Sequence, residues 1–147
     1  MTLVKYILLT FVFIGLLFLA GCTGGAHDEQ YKKLVTDALD QLDSLNEKIV
    51  KPYQGMTAGE LSDLKSFAEQ AKRSAEQMSL SDTDKKSLEL FIRAMNATIE
   101  GVDSLSGALD PSTMRVDNTA PATNYFIQAQ SDLKSAADII KVQKKKE

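Results

Sequence analysis

Apolar positions follow two different patterns along the chain. From Tyr6 to Ala20 the run YILLTFVFIGLLFLA holds no charged residue. From Asp28 onward, apolar residues recur at alternating steps of three and four between acidic and basic ones, the spacing of one face of an α-helix. The first such stripe is Val35, Ala38, Leu42, Leu45 and Ile49, widened by Tyr31, Leu34 and Leu39; Lys51-Pro52 stops it, because a residue before proline avoids the helical region. The next start is marked by Thr57 with Glu60 three residues later, the arrangement of a capping box. Its stripe is Leu61, Leu64, Phe67, Ala68, Ala71, Ala75 and Met78.

Ser81 with Asp84 predicts another helix start after a tight connection, and Leu88, Phe91, Ile92, Met95, Ile99, Val102, Leu105 and Leu109 form the third stripe. Gly101 inside it costs about 1 kcal/mol and marks either a close helix contact or a bend. After DPSTMRVDNTAP the last stripe runs Ala122, Phe126, Ala129, Leu133, Ala136 and Ile140, with Pro121 tolerated in the first turn. The pattern therefore predicts helices over approximately 29–50, 58–79, 82–109 and 120–144, and no run with the period of a β-strand. The expected fold is all-α, an up-down-up-down four-helix bundle over 30–147 of about 30 to 37 Å. Its rival is a three-helix bundle with one helix leaning out towards a partner.

The uncharged run is a different object. As a helix its 15 residues reach only roughly 22 Å, short of the roughly 30 Å hydrocarbon core of a bilayer. Lys5 before it and the small residues after it give the order of a secretory signal: positive region, apolar region, cleavage site. The ending Leu19-Ala20-Gly21-Cys22 closely resembles the lipobox of prokaryotic lipoproteins. That resemblance implies a cut between Gly21 and Cys22, a diacylglyceryl group on the Cys22 thiol, and a signal peptide over 1–21. Residues 22–29 are then a lipidated cysteine and a flexible tether, loosened by Gly24 and Gly25. An uncleaved N-terminal anchor is the alternative. Thr23 is not the aspartate that resembles an inner-membrane retention signal, so the resemblance implies the outer membrane where the host has one, and the outer face of the cytoplasmic membrane otherwise.

Removal of 1–21 takes Lys5 with it and moves the formal charge from −3 to −4, no footprint of a nucleic-acid binder. With the one cysteine lipidated no disulfide remains, so an apolar core must hold the fold.

Candidate chemistry is thin. His27 is the only histidine and lies in the tether segment, which is poor support for a metal site. Asp37, Asp40 and Asp43 share a helix face but lack the irregular, glycine-containing loop of a calcium site, so they read as a solvated acidic face. Asp82 and Asp84 read as first-turn carboxylates complementing a helix dipole. The acidic residues sit almost wholly off the apolar stripes, and the serines around Ser104 lack a nucleophile elbow.

The chain is expected not to be an enzyme and to hold no cofactor or metal. Asn96-Ala97-Thr98 matches a glycosylation acceptor pattern, though in mid-helix. Lys141, Lys144, Lys145 and Lys146 could touch anionic headgroups at about 1 kcal/mol each, but a solubilising helix end is preferred.

Two functional expectations follow. The first is a membrane-tethered, extracytoplasmic, non-catalytic module that meets an envelope or surface protein; the second is a small-ligand or sensor bundle with a pocket near Tyr31, Phe67, Phe91 and Phe126. Oligomeric state stays open.

Overall fold

The computed structural model describes residues 24–50 and 55–144. Four α-helices make up most of it: α1 (Gly24–Val50), α2 (Ala58–Glu76), α3 (Asp82–Ser106) and α4 (Thr123–Lys144). Two short strands accompany them, β1 (Met56–Thr57) and β2 (Arg115–Val116), and a 3₁₀ turn over Ala120–Ala122 leads into α4. The all-α class holds. Among the described residues no helix is long and apolar enough to cross a membrane.

The helix ends have local causes. The predicted capping box at α2 is present: Glu60 N–H donates to the Thr57 hydroxyl at 3.2 Å, and Thr57 N–H donates to Glu60 Oε2 at 2.9 Å. Together these bonds satisfy two donors that a helix start would otherwise leave orphaned. A third, Ala58 N–H, donates to the carbonyl of Met114 at 2.9 Å, so a loop far along the chain completes the cap.

α2 stops at Glu76 and α3 at Ser106, three residues short of the pattern in each case. In both places a reverse bond closes a turn instead, Met78 N–H to Ala75 C=O and Ala108 N–H to Leu105 C=O. α1 differs at its start: helical backbone begins at Gly24, inside the segment read as a flexible tether. No proline interrupts Gly24 to Tyr31, and adding residues to an existing helix is far easier than nucleating one.

The strands were not legible in the pattern. β1 pairs antiparallel with β2, Met56 opposite Val116 and Thr57 opposite Arg115. Two features allow the pairing. Gly55 has φ +56°, and a β-carbon there would lie 2.6 Å from the Val116 carbonyl oxygen, so only glycine fits. Asp110 folds the other side: its carboxylate accepts from Ser112 N–H at 2.7 Å and Ser112 Oγ at 2.6 Å, which holds it below the usual carboxylate range. Met114, at φ 52°, then turns the chain back so that its N–H reaches the Asp110 carbonyl at 2.8 Å.

α3 is central to the packing: it lies against α2 and α4, α4 also carries α1, and α1 touches α2 less extensively. Fully buried Phe91, Met95, Leu105, Phe126 and Leu133 form the heart of the core, each worth about 1.5–3 kcal/mol of burial. Buried alanines occur on all four helices: Ala38; Ala68, Ala71 and Ala75; Ala94 and Ala97; Ala129, Ala136 and Ala137. Such short side chains let backbones approach closely.

Gly101 is the extreme case and marks a close contact rather than a bend. A β-carbon there would sit 2.8 Å from Cε1 of Phe126, whose ring lies against the bare α3 backbone. Gly101→Ala should therefore destabilise the fold by about 1–3 kcal/mol through overpacking, against the roughly 1 kcal/mol gained in helix propensity. In a Phe126→Leu background the same change should turn neutral or stabilising; equal losses in both backgrounds, read by urea denaturation, would refute the contact.

Candidate functional site

Most residues singled out in the sequence do not converge. Gly21, Cys22, Lys145 and Lys146 lie outside the described residues, whereas Lys141 and Lys144 fall in the last turn of α4. Asp37 pairs with Lys33 at 2.8 Å, Asp43 accepts from Gln130 Nε2 at 2.8 Å, and Asp40 is exposed. Two of the three aspartates thus pair with different residues, and no group of three or more His, Cys, Asp or Glu residues is placed to hold a metal among the described residues. Asn96 is half-buried in the middle of α3, and the acceptor pattern's Thr98 is buried with its hydroxyl donating to the Ala94 carbonyl at 2.9 Å. Ser104 and Ser106 likewise donate to their own helix, to Gly101 and Val102 carbonyls.

The aromatic rings do not gather around one pocket. Tyr31 meets Phe91 edge to face, with centroids 6.0 Å apart at 71°. Phe126 packs on Gly101, ten residues further along α3 and so about 15 Å away. Phe67 is only half-buried.

Two of the four buried polar side chains among the described residues, Asp84 and Ser87, lie where α3 begins. Ser87 is fully buried, and its hydroxyl donates to the Ala136 carbonyl on α4 at 2.8 Å. A serine has one proton to give, so the 2.9 Å contact between Tyr31 and Ser87 is Tyr31 O–H donating to Ser87 Oγ. One hydroxyl therefore joins α1, α3 and α4. Burial pushes the Tyr31 hydroxyl up to about 12, outweighing the Ser87 bond that lowers it, and the charge of Asp84 adds to the rise.

Asp84 is 5% exposed, and its Oδ1 accepts no hydrogen bond among the described residues. Its burial corrects the expectation that acidic residues stay off the apolar stripes. The signal was present in the spacing, for Asp84, Leu88, Phe91 and Met95 continue the α3 stripe back by one turn. Asp82 behaves as expected, exposed and paired with Lys85.

Asp132 is the second buried acid, 6% exposed in its side chain and held in a two-bond fork by the guanidinium of Arg93, which keeps it below the usual carboxylate range. Gln128 adds a weaker bond at 3.3 Å.

No protein-family model, curated protein or solved structure matches the chain.

Ser87→Ala should cost about 1–3 kcal/mol, because it strands both the buried Tyr31 hydroxyl and the Ala136 carbonyl. Tyr31→Phe should cost less, and the double variant little more than Ser87→Ala alone; additive losses in a denaturation cycle would refute the chain of bonds. A pH effect follows from Tyr31. Its proton is held more tightly in the fold than in the open chain, so its contribution is complete below about pH 10 and is lost as pH rises through about 12. Roughly 2–3 kcal/mol should disappear across that window and not in Tyr31→Phe, as read by alkaline titration of the unfolding midpoint.

Proposed function

We propose that the chain is an extracytoplasmic lipoprotein: Cys22 carries the diacylglyceryl tether, and the helices after it form a non-catalytic module that meets an envelope or surface protein. The observation that carries this reading is the composition of the interior. Its buried positions are mostly alanines and aliphatic residues, and its few buried rings are spent on packing, Tyr31 edge to face with Phe91 and Phe126 on Gly101, as suits a scaffold that presents helix faces better than a ligand pocket. The enclosed hydroxyls of Ser87 and Thr98 are committed to backbone carbonyls, which leaves neither free to act as a nucleophile.

The module's arrangement is an up-down-up-down four-helix bundle. Contacts between α3 and α4 support it: Ser87 with Ala136, Arg93 with Asp132, Gly101 with Phe126, so numbers rise along one helix as they fall along the other. On α1, Asp43 meets Gln130, while Tyr31 reaches Ser87 beside Ala136, which gives the same opposed sense. The Lys65 to Asp103 pair at 2.6 Å and the short connection after Glu76 suit α2 and α3 running opposite ways. On this arrangement α1 starts, and α4 ends in its lysines, at the tethered end.

Protein extracted from its native membranes should have lost residues 1–21 and gained a diacylglyceryl mass, and Cys22→Ser should not. A full-length unmodified mass would overturn the tether. Photo-crosslinkers at Tyr125 and Ile127, 38% and 57% exposed on α4, and at Asp63 on α2 should capture envelope protein in the native host. Crosslinks to lipid alone, or to nothing, would count against the interaction module.

A further inference from the structure

We infer that the outward face of the first half of α4 docks a protein segment that carries lysine or arginine around an apolar anchor. This names the partner's chemistry for the interaction module proposed above and rests on that reading. The sequence from Asn118 to Ser131 holds no charged residue, whereas elsewhere after Asp28 a charge recurs at least every nine residues. The inward side of that run on α4 is Phe126 and Ala129, both buried. Its outward side presents Tyr125 and Ile127 to solvent, among the uncharged Asn124, Gln128 and Ser131. Solubility does not account for this choice. Lys134 and Asp138 continue the face of Ile127 and Ser131 and are exposed, so the same face carries ions two turns further on. An exposed patch that holds a tyrosine and an aliphatic side chain and lacks charge has the composition of the centre of a protein interface.

The rim around that centre is acidic. On the α1 side, Asp43 sits against α4 through its bond to Gln130, and Asp40 lies one turn before it, exposed. On the α3 side, Arg93 marks the edge that meets α4, and Glu100 lies on the same face two turns on, next to the Gly101 that carries Phe126. Asp117, exposed, immediately precedes the uncharged run. Arg93 is matched by Asp132 in the two-bond fork, whereas Asp40, Glu100 and Asp117 make no ion pair among the described residues.

Charge decides between occupants. A second copy of the chain would bring acidic rim against acidic rim, and anionic lipid or nucleic acid carries the same sign again. Position argues the same way against a membrane, because on the bundle proposed above this half of α4 lies at the end away from Cys22. A segment with lysine or arginine beside an aliphatic or aromatic side chain fits both parts, the anchor on Tyr125 and Ile127 and the cations on the rim. Rim charges act mainly on the rate of encounter, so capture weakens as salt rises.

The test places a photoreactive residue at Ile127 of the full chain in its native host and sequences the crosslinked segment by mass spectrometry. The segment should belong to another protein and hold lysine or arginine within a few residues of an apolar attachment point. Neutralising the rim with Asp40→Asn, Glu100→Gln and Asp117→Asn together should cut the yield about tenfold, while Asp63→Asn, exposed on α2, should leave it unchanged. A captured segment that is acidic, a second copy of this chain or lipid would overturn the inference, as would a yield indifferent to the rim variant or equally reduced by Asp63→Asn. If the rim variant does not fold, wild type in isolated native membranes decides: its yield should fall as salt is raised, and a salt-independent yield refutes the acidic rim. Capture from a photoreactive residue at Asp63 with none from Ile127 would overturn this face and leave the interaction module standing. Capture from neither would overturn both.

Discussion

Phe126 lying on the bare backbone of Gly101 is the contact on which the packing depends. It sets how closely α3 and α4 can approach, and a single β-carbon at 2.8 Å from the ring would push them apart. Buried alanines on both helices continue that closeness along their length. Close approach raises the number of dispersion contacts per unit of surface, which is how a core with few rings reaches interior density. Because α3 also carries α2, and α4 also carries α1, any change in their separation is felt by the other two helices.

Apolar packing of small residues is stabilising but indifferent to register, since one alanine fits much like another. Polar bonds provide the registration, at separate places. Where α3 begins, the Ser87 hydroxyl ties Tyr31 on α1 to Ala136 on α4. Before α2, Gly55 and the β1–β2 pairing tie that helix's cap to the loop after α3, with the Met114 carbonyl taking the Ala58 N–H. Between them the Arg93 fork on Asp132 fixes α3 against α4. A slide by one residue along any of these helices would strand a buried hydroxyl or carboxylate, at about 1–3 kcal/mol for each neutral group.

What the sequence revealed follows from the range of each signal. Helix stripes and the Thr57–Glu60 box are local, involving residues three and four apart, and both were readable without tertiary information. Gly101 was visible as an anomaly, but its cause was a ring 25 residues away in sequence. The strands were invisible because two residues cannot display a period of two, and their pairing depends on a left-handed Gly55 and on the turn around Asp110. Buried Asp84 and Asp132 depart from the expectation that acidic residues sit almost wholly off the apolar stripes, for both lie on the inward spacing of their helices. Spacing is the better guide there, because a carboxylate can be buried wherever a fork such as Arg93 meets it.

The start of α1 changes what a lipid at Cys22 would mean mechanically. A glycine-rich coil would let the bundle turn freely above the membrane, whereas helical backbone from Gly24 leaves little slack. Two glycines at a helix start each cost about 1 kcal/mol relative to alanine, so propensity alone would let this turn fray. Tertiary contact must therefore decide whether it stays wound. Tyr31, fully buried and bonded to Ser87, fastens α1 to the rest of the bundle about two turns after Gly24, and the helix carries that anchorage backwards.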